Sequence, residues 1–186
     1  MVKRLATLVA LMILTIPALQ SSAAAQGHPP FSGLSMDFEA FDPPREMPSI
    51  VFVDGDEKPV DIAEFAGKIV VLNLWATWCA PCIREMPELD RLQAVRGGDD
   101  FAVVAVSFDR KGVDVVKQFF ERRKIEHLAV YVDKFVKTFR AFKLKSLPTT
   151  YILGRDGRAL GVLAGPAAWD SREALALIDY YLATGS

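Results

Sequence analysis

The stretch Leu72-Asn73-Leu74-Trp75-Ala76-Thr77-Trp78-Cys79-Ala80-Pro81-Cys82 decides the fold. It continues an apolar run that begins at Ile69, which predicts a buried strand, and it ends in the only two cysteines of the 186-residue chain. Apolar residues then recur at close to helical spacing, at Ile83, Met86, Leu89 and Leu92. The sequence therefore predicts a Cys-x-x-Cys pair where a buried strand meets the N-terminus of a helix.

The two thiols differ in their predicted surroundings. Unpaired backbone N–H groups and the helix dipole stabilise an anion at a helix start, so we expect Cys79 to be the nucleophile. Cys82 lies one turn further on, where we expect it to be more buried and to act as the resolving thiol. The alternative is half of a zinc site. Zinc needs four ligands, however, and the only histidines, His28 and His127, lack zinc-finger spacing.

Composition narrows the class of protein. A chain that is 51% hydrophobic and 24% charged suits one globular domain with a terminal appendage. Its 22 basic and 23 acidic residues nearly balance, and we expect no basic tract or aromatic–basic interleaving, so nucleic acid is not an expected partner. Two cysteines cannot build a disulfide scaffold, and a loop this small adds little stability, so the pair is expected to be catalytic. We expect no cofactor, because the dithiol itself supplies the redox chemistry, and no metal.

The first residues have the pattern of an export segment. Lys3 and Arg4 precede an apolar run over 5–19, and small residues follow at 23–25. The run is shorter than the about 20 residues that a spanning helix needs, which favours a cleaved signal peptide over 1–25. An uncleaved membrane anchor is the alternative. Either one predicts an exported protein in an oxidising compartment.

The next segment, 26–47, is predicted to be a linker. Pro-Pro and Ser-Gly pairs interrupt any periodicity there. The alternative is that its three phenylalanines, Phe31, Phe38 and Phe41, pack on the domain that follows.

Residues 48–186 are predicted to form one α/β domain. Besides the strand from Ile69 to Leu74, we expect a hairpin over 50–62 and strands over 101–106, 128–132, 150–153 and 159–163. A helix is predicted over 113–123, and a short helix is predicted to place Phe135, Phe139 and Phe142 in the core. A last helix is predicted to follow a capping box formed by Asp170 and Glu173. Strands that alternate with helices indicate a mixed sheet with helices on both faces.

Two separate motifs resemble the thioredoxin fold: Trp78-Cys79-Ala80-Pro81-Cys82 and, far downstream, Leu147-Pro148-Thr149. The lead-in Asn73 to Thr77, the Glu85-Met86-Pro87 sequence and the early hairpin resemble the exported TlpA/ResA-like branch of that family. The segment 165–169 is most similar to the TlpA side of the branch. The resemblance covers about residues 48 to 182.

This resemblance implies roles for further residues. A cis peptide bond before Pro148 is expected to pack against the dithiol, with Leu147, Pro148 and Thr149 binding an extended substrate segment. Trp78 is expected to shield the dithiol and to present an apolar surface to a protein substrate, or else to be a core tryptophan. Ala80 and Pro81 are expected to tune the redox balance, since Pro81 lacks an N–H group.

One position departs from ordinary thioredoxins, which carry a buried aspartate where this chain has Asn73. The exported branch shares this change and places a glutamate at the position of Glu85. Glu85 lies three residues past Cys82 on the same helical face, so a buried Glu85 with a raised pKa is expected to move the proton of the resolving thiol. The alternative for Glu85 is an exposed residue that pairs with Arg84 or Arg91. Asn73 itself is expected to be a hydrogen-bonded polar residue of the strand, with a catalytic role as its alternative.

The resemblance implies a periplasmic thiol–disulfide oxidoreductase that acts on protein clients. Members of this branch reduce apocytochrome c or copper-maturation proteins of cytochrome oxidase, and a membrane thiol-transfer protein recharges them. We expect a monomer. The alternatives are an oxidase that introduces disulfides and a copper chaperone that uses both thiolates, with Met86 as the nearest further ligand.

Overall fold

The computed structural model describes residues 27–185, so the predicted signal peptide or anchor at 1–25 lies outside the described residues. The elements in chain order are β1 (Glu39–Arg45), β2 (Val51–Val53), β3 (Pro59–Asp61), a 3₁₀ turn (Ile62–Phe65), β4 (Ile69–Trp75), α1 (Ala80–Arg96), β5 (Phe101–Ser107), α2 (Val113–Arg123), β6 (Tyr131–Val132), α3 (Lys137–Ala141), β7 (Thr149–Leu153), β8 (Ala159–Ala164) and α4 (Arg172–Thr184). The eight strands form one sheet in the order β1-β8-β7-β4-β5-β6-β2-β3. This is the predicted mixed α/β architecture.

Strand β4 occupies the centre of the sheet, parallel to β5 and antiparallel to β7. All its residues are buried, because helices or turns cover both faces. Successive side chains point to opposite faces, so Val71 and Trp75 join one core with residues of α1, α2 and α4. Leu72 and Leu74 join a second core with Phe52 and residues around α3. The carboxyl end of β4 is thereby held firmly where α1 begins.

The prediction of a linker over 26–47 is wrong for most of that segment. Phe31, Phe38 and Phe41 are all buried, and β1 pairs with β8 as an edge strand. Gly161 of β8 leaves room for the Phe38 ring, which a Cβ atom there would strike. Burial of the three aromatic rings stabilises this irregular segment. The edge strand tolerates the two prolines, because no further strand needs the N–H groups that they lack. The domain therefore begins well before residue 48.

Most strand predictions are confirmed, and one is too long. The early hairpin is β2–β3, and the strands predicted over 101–106, 150–153 and 159–163 correspond to β5, β7 and β8. The strand predicted over 128–132 is confined to Tyr131–Val132, because only this end pairs with β5.

Two predictions about helices need correction. Phe135 was expected in the core but is 63% exposed, because α3 begins only at Lys137 and Phe135 precedes it. The N-cap of α4 is Ser171, whose side chain accepts a hydrogen bond from the backbone N–H of Ala174. Asp170 instead forms an ion pair with Arg91 of α1.

Candidate active site

The two cysteines form a disulfide at the start of α1. Cys79 is the N-cap residue, and its Sγ atom accepts a hydrogen bond from the backbone N–H of Cys82 at 3.3 Å. Cys79 is 6% exposed, whereas Cys82 is fully buried. The expected difference in burial between the two sulfurs is therefore present, and only Cys79 lies within reach of solvent.

The helix start favours negative charge on the Cys79 sulfur. A free amide points at it, and the first turn of α1 carries no acidic side chain. Pro81 stands in this first turn, where its missing N–H group leaves no unsatisfied donor. A thiolate formed on reduction meets the positive end of the helix dipole, which is the arrangement that makes cysteines reactive.

The loop before β7 lies beside the same end of the sheet. Thr149 pairs with Leu74 of β4, which brings Pro148 to the carboxyl end of that strand. The Leu147–Pro148 peptide bond is cis, as predicted. Leu147 is half-buried and packs against the core that contains both cysteines. Pro148 and Thr149 are buried, and the Thr149 hydroxyl donates to the Ser146 carbonyl, so this hydroxyl is used within the loop.

Trp78 and Trp75 have opposite environments. Trp78 is 69% exposed immediately before Cys79, which excludes the core alternative for this residue. Trp75 is fully buried against Phe119 and Phe120, as predicted. The exposed ring therefore offers an apolar surface next to the accessible sulfur.

Glu85 is 2% exposed, which rules out the alternative of a surface ion pair with Arg84 or Arg91. Its Oε1 accepts from Asn73 Nδ2 at 2.9 Å. Its Oε2 accepts from the backbone N–H of Ala167 at 3.1 Å and from Trp169 Nε1 at 3.3 Å. Burial raises the pKa of Glu85 from 4.5 to about 7, although these hydrogen bonds act in the opposite direction. The carboxyl group can therefore exchange a proton near neutral pH.

Asn73 connects Glu85 to the central sheet. Its Nδ2 also donates to Thr150 Oγ1 of β7 at 2.9 Å, while its Oδ1 has no partner among the described residues. Asn73 is thus only partly hydrogen-bonded. It cannot titrate, and its amide group connects the Glu85 carboxyl group of α1 to the Thr150 hydroxyl of β7.

The sequence did not indicate three of the partners around Glu85. Thr150 enters through the antiparallel pairing of β4 with β7, and Ala167 and Trp169 enter through the loop before α4. The only available signal was the similarity of segment 165–169 to TlpA-like proteins, which did not indicate that this segment contacts Glu85. Their position depends on long-range packing, including the ring of Phe31 against Trp169 at 5.2 Å between centroids.

We expect Trp169→Phe to raise the pKa of Glu85 by about one unit, because a hydrogen bond to the carboxylate is lost. The titration of the Glu85 carboxyl carbon in the oxidised protein, followed by NMR, measures this. Trp75→Phe is the matched control, since Trp75 Nε1 has no partner among the described residues and its loss should leave the midpoint unchanged. An unchanged midpoint in Trp169→Phe would contradict the role of the indole.

The described part of the chain was expected to hold no metal, and its side chains bear on the copper and zinc alternatives. Within residues 27–185, no three His, Cys, Asp or Glu side chains gather in a group that could hold a metal ion. Met86, the nearest further ligand in the copper alternative, is fully buried in the core. Over the same range, no helix has the length and apolar character needed to cross a membrane.

Comparisons with known proteins agree with this geometry. Residues 43–177 match the Redoxin family. The thiol-disulfide oxidoreductase ResA of Bacillus cereus is 28% identical over 141 residues, which make up 76% of this chain and 80% of that protein. ResA of Oceanobacillus iheyensis is 34% identical over 118 residues, or 63% of this chain and 60% of that protein. A solved thioredoxin-family thiol:disulfide interchange protein from Chlorobium tepidum matches with a TM-score of 0.60 at 26% identity, covering 75% of this chain and 97% of that chain.

A buried strand, a Cys-x-x-Cys helix start and a proline loop in a mixed sheet define a protein of the thioredoxin fold, which confirms the predicted architecture. The chain belongs to the Redoxin family. Within it, the protein is a ResA/TlpA-like thiol–disulfide oxidoreductase whose Cys-x-x-Cys pair is Cys79 and Cys82.

Proposed function

We propose that the protein reduces disulfides in protein clients, with Cys79 as the nucleophile and Cys82 as the resolving thiol. The observation that carries this order is the contrast between the two sulfurs. Cys79 is the slightly exposed N-cap residue of α1, and Cys82 has no exposed surface. A client sulfur can reach only the first of them.

The proposed reaction has two displacement steps. The Cys79 thiolate attacks one sulfur of the client disulfide, which forms a mixed disulfide and releases the other client sulfur as a thiolate that takes up a proton. Cys82 then loses its proton and attacks Cys79 Sγ, which breaks the mixed disulfide and releases the second client sulfur as a thiolate that takes up a proton. Overall, the protein dithiol is oxidised to a disulfide and the client disulfide is reduced to two thiols. An external thiol donor must restore the dithiol.

We assign the proton of Cys82 to Glu85. Both residues are buried on one face of α1, three positions apart, and burial raises the pKa of Glu85 to about 7. With a pKa of about 7, the carboxylate accepts the Cys82 proton when the resolving step begins and returns it on reduction.

The remaining site residues are proposed to bind the client or to tune the dithiol. Trp78 supplies an exposed apolar contact, and the backbone at Leu147 pairs with an extended client segment. Pro148 and Thr149 fix that backbone in place, because the Pro148 carbonyl accepts from Gly165 and Thr149 pairs with β4 and β8. Ala80 and Pro81 set the redox balance, because they determine which amides face the sulfurs.

By resemblance, we place the protein in the periplasm, exported by residues 1–25 as a signal peptide or anchor. Its clients are proposed to be apocytochrome c or copper-maturation proteins of cytochrome oxidase, and a membrane thiol-transfer protein recharges it. It is proposed to act as a monomer, with no resident cofactor.

The test is equilibration with glutathione, followed by reaction of the reduced protein with an apocytochrome c peptide whose two cysteines are joined by a disulfide. We expect a reducing equilibrium, with the protein oxidised while the glutathione pool is largely reduced, and conversion of the peptide to its dithiol. A protein that stays reduced in oxidised glutathione would instead be a disulfide-introducing oxidase. Tight stoichiometric binding of Cu(I) without reduction of the peptide would support the copper chaperone.

A further inference from the structure

An apolar groove lies beside the dithiol. Its volume is about 620 Å³, and it opens next to Trp78, the residue before Cys79. Its apolar lining comes from four separate segments of the chain: Trp78, Phe108, Val115, Val136, Phe139 and Leu147. The groove is therefore contiguous with the loop proposed to hold the client backbone, and it is large enough for one or two side chains.

Cations lie next to this groove. Arg110 lines the groove and also a neighbouring depression of about 520 Å³, whose other residues are Lys134, Phe135, Lys137 and Arg140. Residues 134–145 contain five basic side chains and no acidic one, interleaved with phenylalanines. This corrects the expectation that the chain has no basic tract. We call Trp78, Arg110, Phe135, Lys137 and Arg140 the basic–aromatic surface.

Few carboxylates neutralise these cations. Among the described residues, Lys134 pairs with Glu57 at the limiting distance of 4.0 Å, and no acidic side chain pairs with Arg110, Lys137 or Arg140. Asp109 borders the groove, but it is buried, and both its oxygens accept hydrogen bonds. Lys111 borders the groove too, but it also lies near Asp114 and Glu57, so we leave it outside the surface.

The aromatic members of the surface are exposed to an unusual degree. Phe135 is 63% exposed and Trp78 is 69% exposed, and together they are the most exposed aromatic side chains in the described part of the chain. The Lys137 ammonium group lies 5.7 Å from the centre of the Phe135 ring. An anionic partner with apolar side chains would match both the charge and the apolar area.

We propose that the basic–aromatic surface binds an acidic, extended segment of the disulfide-bonded client protein, next to the cysteine that Cys79 attacks. This inference rests on the proposed reductase function and names its substrate class. An apolar client residue fills the groove beside Trp78, and client carboxylates meet Arg110, Lys137 and Arg140. A protein segment is favoured over a membrane, because a lipid surface seated on this face would cover the dithiol.

The test uses two synthetic peptides with the same internal disulfide, one flanked by a run of aspartates and the other by asparagines. The rate constant for oxidation of the reduced protein should be about tenfold higher with the aspartate peptide at low salt. This preference should vanish near 1 M salt, where the screening length is about 3 Å. Lys137→Glu/Arg140→Glu should remove or invert it, and both side chains are exposed, so the fold should tolerate the change.

The matched control is Lys68→Glu/Arg158→Glu, which changes the net charge equally. These residues lie at the opposite end of the central strands, before β4 and in the turn between β7 and β8, so the preference should persist. Neutral hydroxyethyl disulfide reports the dithiol alone and should react at the same rate in all variants. If wild type fails with this small disulfide, the proposed function is wrong. Equal rates with both peptides would overturn the proposed client-binding surface but not the reductase function. The same conclusion would follow if the charge reversal affected only sedimentation with anionic phosphatidylglycerol vesicles.

Discussion

Cys82→Ser should accumulate a stable mixed disulfide with its client, and Cys79→Ser should accumulate none. In Cys82→Ser the Cys79 thiolate still attacks the client disulfide, but the sulfur that would release the product is missing. In Cys79→Ser the only thiol left is Cys82, which is fully buried, so a client cannot approach it. We expect the rate of client reduction to fall at least about 1,000-fold in either variant.

The experiment expresses both variants in the native envelope, quenches free thiols with an alkylating agent and resolves the adducts on non-reducing gels. Mass spectrometry of the adducts on Cys82→Ser identifies the clients. The Cys79→Ser/Cys82→Ser double variant controls for non-covalent association. Adducts that formed on Cys79→Ser rather than on Cys82→Ser would reverse the proposed order of the thiols.

Glu85→Gln should remove a large pH dependence of folding stability. The native-state pKa of Glu85 is about 7 against 4.5 without burial, so between these values the native protein binds a proton that the unfolded chain does not. Stability contributed by this group is therefore fully present below pH 4.5 and is lost as the pH rises through about 7. A pKa shift of this size changes the free energy of unfolding by about 3 kcal/mol between low and high pH. Glu85→Gln should lack this contribution.

Urea denaturation of the oxidised proteins at about pH 5 and about pH 8 measures the difference, since the disulfide prevents thiol titration. Glu121→Gln, an exposed change on α2, is the control and should keep the wild-type pH dependence. In the reduced proteins, the alkylation rate of the dithiol should have a step near pH 7 that Glu85→Gln lacks. The same step in both proteins would remove Glu85 from the proton pathway.

Several parts of the site could be predicted because they depend on residues close in sequence. The run from Ile69 to Trp75 has no polar interruption except Asn73, and its short length predicts a strand covered on both faces. The turn that follows leaves Cys79 at a helix start, whose free amides act on it whatever the rest of the chain does. The boundaries of α2 followed from its periodicity in the same way.

Other parts could not be predicted, because they depend on which distant segments meet. Prolines and glycines between residues 26 and 47 predicted a linker, yet the three phenylalanines of this segment found complementary surfaces on β8, α4 and Trp169. The basic–aromatic surface likewise needed two segments, 108–111 and 134–140, to meet beside Trp78. Local patterns contain no information about such neighbours.

The sequence by itself determined a dithiol at the N-terminus of a helix that follows a central strand. It thereby determined the class of chemistry, which is thiol–disulfide exchange. Only the tertiary structure decided how Glu85 titrates. The desolvation that raises its pKa comes from burial in the packed core. The donors that limit the rise are Asn73 on β4, and Ala167 and Trp169 more than eighty positions away. Solvation of a charge depends on everything packed around it, and that is established only when the whole chain has folded.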